Sequence, residues 1–106
     1  EAITVTADAT RPTIGGVSPK HRSTIRDTTP TIRAVVKDDV TDLQKADIRL
    51  YVNGAPIPPK GWSYGASTDA LVYNSPKVVR GKKTVKIVAT DAAKNVRAKS
   101  WYFAIR

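Results

Sequence analysis

The sequence predicts an all-β fold, a two-sheet sandwich of about seven or eight antiparallel strands. Three observations carry this prediction: short segments alternate apolar and polar residues, turn signals recur about every eight to twelve residues, and the 106 residues contain no convincing helical period. One domain of this length can fold without a disulfide, and the chain has no cysteine. A small barrel is the competing shape, but we expect the opening and closing strands to be sheet edges, which a barrel lacks.

A domain boundary is predicted near the start of the chain. Residues 1–10 alternate briefly through Ile3 and Val5 and then become polar up to Pro12, as in a linker or the tail of a preceding module. The folded domain is therefore expected to span residues 11–106, as one unit of a tandem array.

The first half of this domain contains three segments with the alternation of strands: 12–19, 31–37 and 48–52. Gly15 and Gly16 predict a bulge in an edge strand, and Asn53-Gly54 predicts a tight hairpin turn. Residues 24–29 are predicted to be a turn. Between the second and third segments we expect a loop with one helical turn, in which Leu43 closes the end of the core.

The second half contains a proline-rich segment and the strands that complete the sandwich. Prolines at 56, 58 and 59 lack the N–H that a sheet ladder needs, so residues 55–65 are predicted to be an edge or a loop. The remaining predicted strands are 62–64, 70–73, 84–89 and 101–105. The last two form a closing hairpin about the turn at 90–95.

The predicted core follows from alternation, because every second side chain of a strand faces the same side. Its members are Ile14, Val17, Ile32, Ala34, Val36, Ile48, Leu50, Val52, Leu71, Tyr73, Val85, Ile87, Ala89, Trp101, Phe103 and Ile105.

Three phrases of the sequence resemble the bacterial immunoglobulin-like modules, of Big or fibronectin-like type, that occur in tandem in extracellular proteins. They are Val17-Ser18-Pro19, Asp27-Thr28-Thr29-Pro30-Thr31-Ile32, and Ala89-Thr90-Asp91-Ala92-Ala93-Lys94-Asn95 before Trp101-Tyr102-Phe103. The resemblance implies an immunoglobulin-like sandwich with Greek-key topology and an extracellular setting, but not one function. Such modules usually have glycine where Lys94 stands, so a positive φ at Lys94 would cost about 1 kcal/mol.

No catalytic arrangement is found in the sequence. The only glutamate is Glu1, and every aspartate lies in or beside a turn, where its carboxylate can accept hydrogen bonds from backbone N–H groups. His21, the only imidazole, lies in a loop without a nucleophile-elbow motif. We therefore expect a protein that is not an enzyme and that needs no cofactor.

Calcium is considered because carboxylates clustered in a flexible loop suit hard cations. The candidates are Asp38, Asp39 and Asp42, with Asp47 nearby. A variant of this idea uses Asp8 with Asp91 or Asn95 at a junction between modules. Turn capping and solubility explain the same residues without a metal.

The net charge of +9, from 18 basic and 9 acidic residues, favours association with polyanions, although a soluble surface explains it equally. Rings exposed on a sheet or loop would contact a glycan, and the candidates are Tyr51, Trp62, Tyr64 and Tyr102. The alternative is that Trp62 and Tyr73 complete the core while Tyr51 and Tyr102 cover neighbouring strands. Basic residues interleaved with Tyr51 and Tyr102 would contact a polyanion: Arg49, Lys86, Arg97 and Lys99, or Arg33 with Lys37.

These observations predict a non-catalytic module of a larger secreted or cell-surface bacterial protein, acting as a structural spacer or as an interaction and adhesion domain. The alternatives are a carbohydrate-binding accessory module of a secreted enzyme and a basic module that docks an anionic cell-wall polymer. Expected partners are neighbouring modules and extracellular glycans. Nucleic acid is not expected because no recognition motif for it is present. We expect no membrane insertion, and a monomer when the domain is isolated.

Overall fold

The computed structural model describes residues 12–38, 43–65, 67–91 and 94–106. These residues form nine strands: β1 (Thr13–Ser18), β2 (Thr24–Ile25), β3 (Thr31–Lys37), β4 (Ile48–Val52), β5 (Ala55–Pro56), β6 (Ser63–Gly65), β7 (Ala70–Asn74), β8 (Gly81–Thr90) and β9 (Val96–Ile105). Two 3-10 helices, at Lys45–Asp47 and Pro59–Gly61, flank the β4–β5 hairpin. None of the described helices is long and apolar enough to span a membrane. The predicted linker at residues 1–10 lies outside the described residues.

The strands form two sheets, one in the order β1-β3-β7-β6 and the other in the order β2-β9-β8-β4-β5. The two-residue strands β2 and β5 aside, one sheet holds β1, β3, β7 and β6 and the other holds β4, β8 and β9. This four-plus-three arrangement is the strand order of the immunoglobulin fold. The predicted all-β sandwich is therefore confirmed.

The closing strand differs from its prediction. β2 pairs with the end of β9 in parallel, with Thr24 opposite Ala104 and Ile25 opposite Ile105. The prediction that β9 is an edge is therefore wrong at its C-terminal end, whereas over Val96–Phe103 β8 is its only ladder partner among the described strands. The prediction of a plain turn at residues 24–29 is likewise wrong for its first two residues. A segment of two residues is too short to show an alternation of apolar and polar side chains, so β2 could not be recognised as a strand from the sequence.

Glycine and proline shape the edges as their backbone chemistry requires. The pairing of β1 with β3 shifts register between Gly15 and Ser18, which confirms the predicted bulge. Gly16 has a φ of +57°, and a Cβ there would meet Val35 Cγ2 at 3.2 Å, so a side chain is disfavoured twice. β5 ends after Pro56, as expected for a proline-rich edge.

The core lies between the two sheets and matches the predicted rows. The predicted core residues are all either buried or packed against the buried cluster. Leu43 is 1% exposed and belongs to the buried cluster, as expected for a residue that contributes to the core. Trp62, which strand alternation does not place in these rows, is also buried.

The closing hairpin carries the longest ladder, which runs from Gly81 opposite Ile105 to Thr90 opposite Val96. Its turn is held by the buried Asp91, whose Oδ1 accepts a hydrogen bond from the Asn95 backbone N–H at 2.8 Å and whose Oδ2 accepts one from the Asn95 side-chain amide at 3.0 Å. Lys94 has a φ of +70°, the left-handed conformation anticipated at this position.

Candidate functional site on the five-stranded sheet

The surface that we call the outer face is the side of the five-stranded sheet that points away from the core. Its large side chains are Arg49 and Tyr51 of β4, Lys82 and Lys86 of β8, and Tyr102 of β9. Their orientation follows from alternation, because each is adjacent in sequence to a buried residue of its own strand. Basic and aromatic residues therefore interleave on one exposed surface.

Tyr51 and Lys86 form one pair on this face. They lie directly opposite each other on β4 and β8. The Lys86 ammonium lies 5.9 Å from the centroid of the Tyr51 ring, within the range of a cation–π contact. Arg49 lies two residues before Tyr51 on the same side of β4 and is exposed.

Tyr102 and Lys82 form a second pair, as diagonal neighbours on β9 and β8. The Lys82 ammonium lies 4.4 Å from the centroid of the Tyr102 ring. His21 meets the same ring edge-on, with centroids 4.7 Å apart, and its Nδ1 accepts a hydrogen bond from the Tyr102 backbone N–H at 3.3 Å. These contacts fix the position of the Tyr102 ring.

No acidic residue occurs in any strand of this sheet. Described aspartates outside the sheet are held in turns: Asp27 Oδ1 accepts a hydrogen bond from the Thr29 N–H at 2.8 Å, and Asp47 Oδ2 accepts one from the Gln44 N–H at 2.9 Å. The positive charge of the outer face is therefore not neutralised by a carboxylate on the same strands.

A shallow hollow of about 510 Å³ lies at the β4 edge of this sheet. Arg49, Tyr51 and Trp62 line it together with Lys45, Ile57 and the prolines at 56, 58 and 59. Three residues that the sequence nominated separately thus meet at one place. The hollow is not lined by Lys86, Tyr64 or Tyr102. Lys86 lies beside it, because its ammonium contacts the ring of Tyr51, which is a lining residue.

Trp62 and Tyr64 are not exposed platforms, which corrects their place among the glycan candidates. Trp62 is 5% exposed, and its indole N–H donates to the Ile57 carbonyl at 3.3 Å. Tyr64 is half-buried, and its hydroxyl donates to the Val36 carbonyl at 2.6 Å. The burial of Trp62 agrees with the alternative that it completes the core, since loop contacts hold it where strand alternation gives no signal.

Two of the basic residues nominated for a polyanion face the other way. Arg97 and Lys99 alternate with the outward residues of β9, and the Arg97 Nε–H donates to the Pro12 carbonyl at 3.1 Å. Placing them on the outer face was therefore wrong. Lys82 was missed, although counting back by twos from Lys86 along β8 reaches it.

The calcium candidates are only partly described. Asp38 is half-buried and has an interaction partner, Asp47 closes the turn at Gln44, and Asp8, Asp39 and Asp42 lie outside the described residues. Within residues 12–38, 43–65, 67–91 and 94–106, no three His, Cys, Asp or Glu side chains are grouped closely enough to hold a metal ion.

Among the solved structures with a similar fold are three from bacteria. CopC from Methylosinus trichosporium OB3b is 13% identical, with a TM-score of 0.69, over 90% of this chain and 93% of that one. Dimeric latent PorU from Porphyromonas gingivalis is 20% identical with a TM-score of 0.73, and the endo-β-1,4-mannanase from Thermotoga petrophila is 13% identical with a TM-score of 0.69. Both of these matches cover 93% of this chain, which spans 11% of the PorU chain and 20% of the mannanase chain.

These likenesses show the fold, a small all-β domain, and go no further at such identities. No protein-family model matches the sequence, and no curated protein sequence matches it either. The small β domain implied by the resemblance to immunoglobulin-like modules is confirmed, whereas membership of that family remains a prediction.

Proposed function

We propose that this domain is a non-catalytic accessory module of a larger secreted or cell-surface bacterial protein, where it acts as a structural spacer or as an interaction domain. One observation carries the proposal: a matching unit that covers 93% of this chain makes up only 11% of PorU and 20% of the mannanase. The same architecture thus serves as a small part of large proteins.

The engagement of the polar side chains supports a non-catalytic role. A general base or nucleophile needs a side chain that is available to the substrate. Asp27, Asp47 and Asp91 instead accept hydrogen bonds within turns, and His21 accepts one from the Tyr102 backbone. These groups serve the fold through local bonds.

Docking of an anionic polymer is the second candidate, and the outer face favours it over a neutral glycan. A neutral sugar stacks on the free face of an aromatic ring. On this sheet a lysine ammonium lies over the ring of Tyr51 and another lies over that of Tyr102, so a ligand that approaches either ring meets a positive charge.

Fractionation of cells of the source organism tests the proposed setting. An antibody against the 106-residue chain is expected to detect a much longer protein in the medium or on the surface, where added protease removes it from intact cells. A cytoplasmic protein probed in parallel controls for lysis. Detection of a protein of this length alone, or of one protected inside the cell, would overturn the proposal.

A further inference from the structure

We propose that the outer face of the five-stranded sheet and the hollow at its β4 edge form one binding site for an anionic polysaccharide. The inference rests on the proposed function, because an extracellular setting is what supplies such a polymer. The site consists of Lys82, Lys86 and Arg49 as cations, the two tyrosines beside them, and the apolar wall of the hollow.

The spacing of the cations suits an extended polymer with repeated charges. Lys82 and Lys86 are four residues apart on β8, which places their Cα atoms about 13 Å apart. Arg49 lies on the next strand opposite Val88, about 8 Å from Lys86 between Cα atoms. The three positive groups therefore follow β8 and cross to β4, a path that one compact anion could not occupy.

The outward positions beside this path are mostly small: Thr84 and Val88 on β8, and Ala98, Ser100 and Ala104 on β9. Tyr51 and Tyr102 are the large exceptions, opposite Lys86 and Thr84 respectively. A chain of pyranose rings would therefore run along β8 between the two tyrosines. The tyrosines on either side hold the two ammonium groups through cation–π contacts, which limits the freedom lost on binding.

The hollow gives this path a defined end at Arg49. Its volume of about 510 Å³ falls in the size range of small-ligand sites, and prolines, Ile57, Tyr51 and Trp62 make most of its wall apolar. A sugar ring entering it would place its carboxylate or ester anion beside Arg49. The Lys45 ammonium lies 4.9 Å from the Trp62 ring and donates to the Trp62 carbonyl at 2.5 Å, so it adds a fixed positive charge to the same wall.

Single-stranded nucleic acid fits this face less well. Strand platforms for nucleic acid stack bases on free aromatic faces. Here Lys82 lies over Tyr102, which His21 also contacts edge-on, and Lys86 lies over Tyr51. An anionic polysaccharide needs the row of charges and no free ring face.

Binding of polygalacturonate tests the proposal, with neutral dextran and single-stranded oligo-dT as comparison probes. The informative variant is Lys82→Gln with Lys86→Gln, and its matched control is Arg33→Gln with Lys37→Gln on the exposed side of the four-stranded sheet. Each pair lowers the formal net charge from +9 to +7, since 9 − 2 = 7. Arg49→Gln is an independent third variant, because Arg49 makes no cation–π contact with the tyrosines.

We expect the unchanged protein to bind polygalacturonate at near-physiological salt and to leave dextran unbound. The Lys82/Lys86 variant should bind about tenfold more weakly, with a salt slope lower by about two, whereas the control should change less than about twofold. Arg49→Gln should weaken binding about threefold to fivefold.

Any of three binding patterns would overturn the inference: equal losses in the Lys82/Lys86 variant and its control, binding of dextran as tight as that of polygalacturonate, or tighter binding of oligo-dT with the same variant effects. Absence of polygalacturonate binding would also overturn it. None of these bears on the cell-fractionation result, so this inference and the proposed function can fail separately.

Discussion

The closing hairpin and the proline-rich edge at residues 55–65 each bury one tryptophan, but by different means. Trp101 lies in the middle of β9, opposite Val85 in a continuous ladder, and is 2% exposed. Trp62 follows a 3-10 helix beside a two-residue strand and is 5% exposed. The two side chains are almost equally buried, yet only Trp101 is positioned by a repeating strand pattern.

Hydrogen bonds show the same contrast. The Trp101 indole N–H donates to the Pro19 carbonyl at 3.0 Å, which ties β9 to the loop after β1. The Trp62 indole N–H donates to the carbonyl of Ile57, only five residues away, and Lys45 covers its ring. Trp101 therefore joins distant parts of the chain, whereas Trp62 organises the wall of the hollow. The same residue type supports the fold in one place and shapes a surface in the other.

Replacing Trp101 with Ala should have the largest effect on stability. The substitution removes a fully packed indole from between two sheets, so the free energy of unfolding should fall by about 3 to 5 kcal/mol. Urea denaturation followed by circular dichroism measures this loss. Trp101→Phe is the control, which keeps most of the packing, loses the bond to Pro19 and should cost about 1 to 2 kcal/mol. An unchanged free energy of unfolding for Trp101→Ala would refute the assignment of Trp101 to the core.

Replacing Trp62 with Ala should cost less, about 2 to 3 kcal/mol, because the space it leaves opens toward the hollow and can be partly filled by neighbours or water. The same denaturation experiment gives the value. If the loss equals or exceeds that of Trp101→Ala, the two regions do not differ as described here. The variant should also weaken polygalacturonate binding, because Trp62 lines the hollow, and Trp101→Phe should leave that binding unchanged.

The two regions also show which parts of the fold can be predicted from the sequence. Alternation predicted the rows of the hairpin through Ile87 and Phe103 because each strand repeats its pattern over several residues. It could not predict β2, whose two residues take strand form only because β9 offers an unpaired side. Nor could it assign Trp62 to the core, since that depends on how a proline-rich loop folds back against the end of the sandwich.

The candidate site was predictable in part for the same reason. Tyr51, Tyr102, Arg49 and Lys86 follow from alternation, which fixes the face on which each lies. The position of Lys82 beside Tyr102 depends on the register between β8 and β9, which the sequence does not state. The hollow depends on the course of the loop after β5, so it becomes visible only in three dimensions.

The smallest predicted effect is a gain in stability at the hairpin turn, from Lys94→Gly. Lys94 has a φ of +70°, a conformation that costs a residue with a Cβ about 1 to 2 kcal/mol. Glycine removes this cost but gives the unfolded chain more freedom, worth about 0.4 to 1 kcal/mol. The net gain in the free energy of unfolding should therefore be about 0.5 to 1 kcal/mol, measured by the same urea titration. Lys94→Ala is the matched control, because it loses the same charge and keeps the Cβ. Equal stabilities for the two variants would show that the strain at this turn is no larger than the cost of the freedom that glycine adds to the unfolded chain.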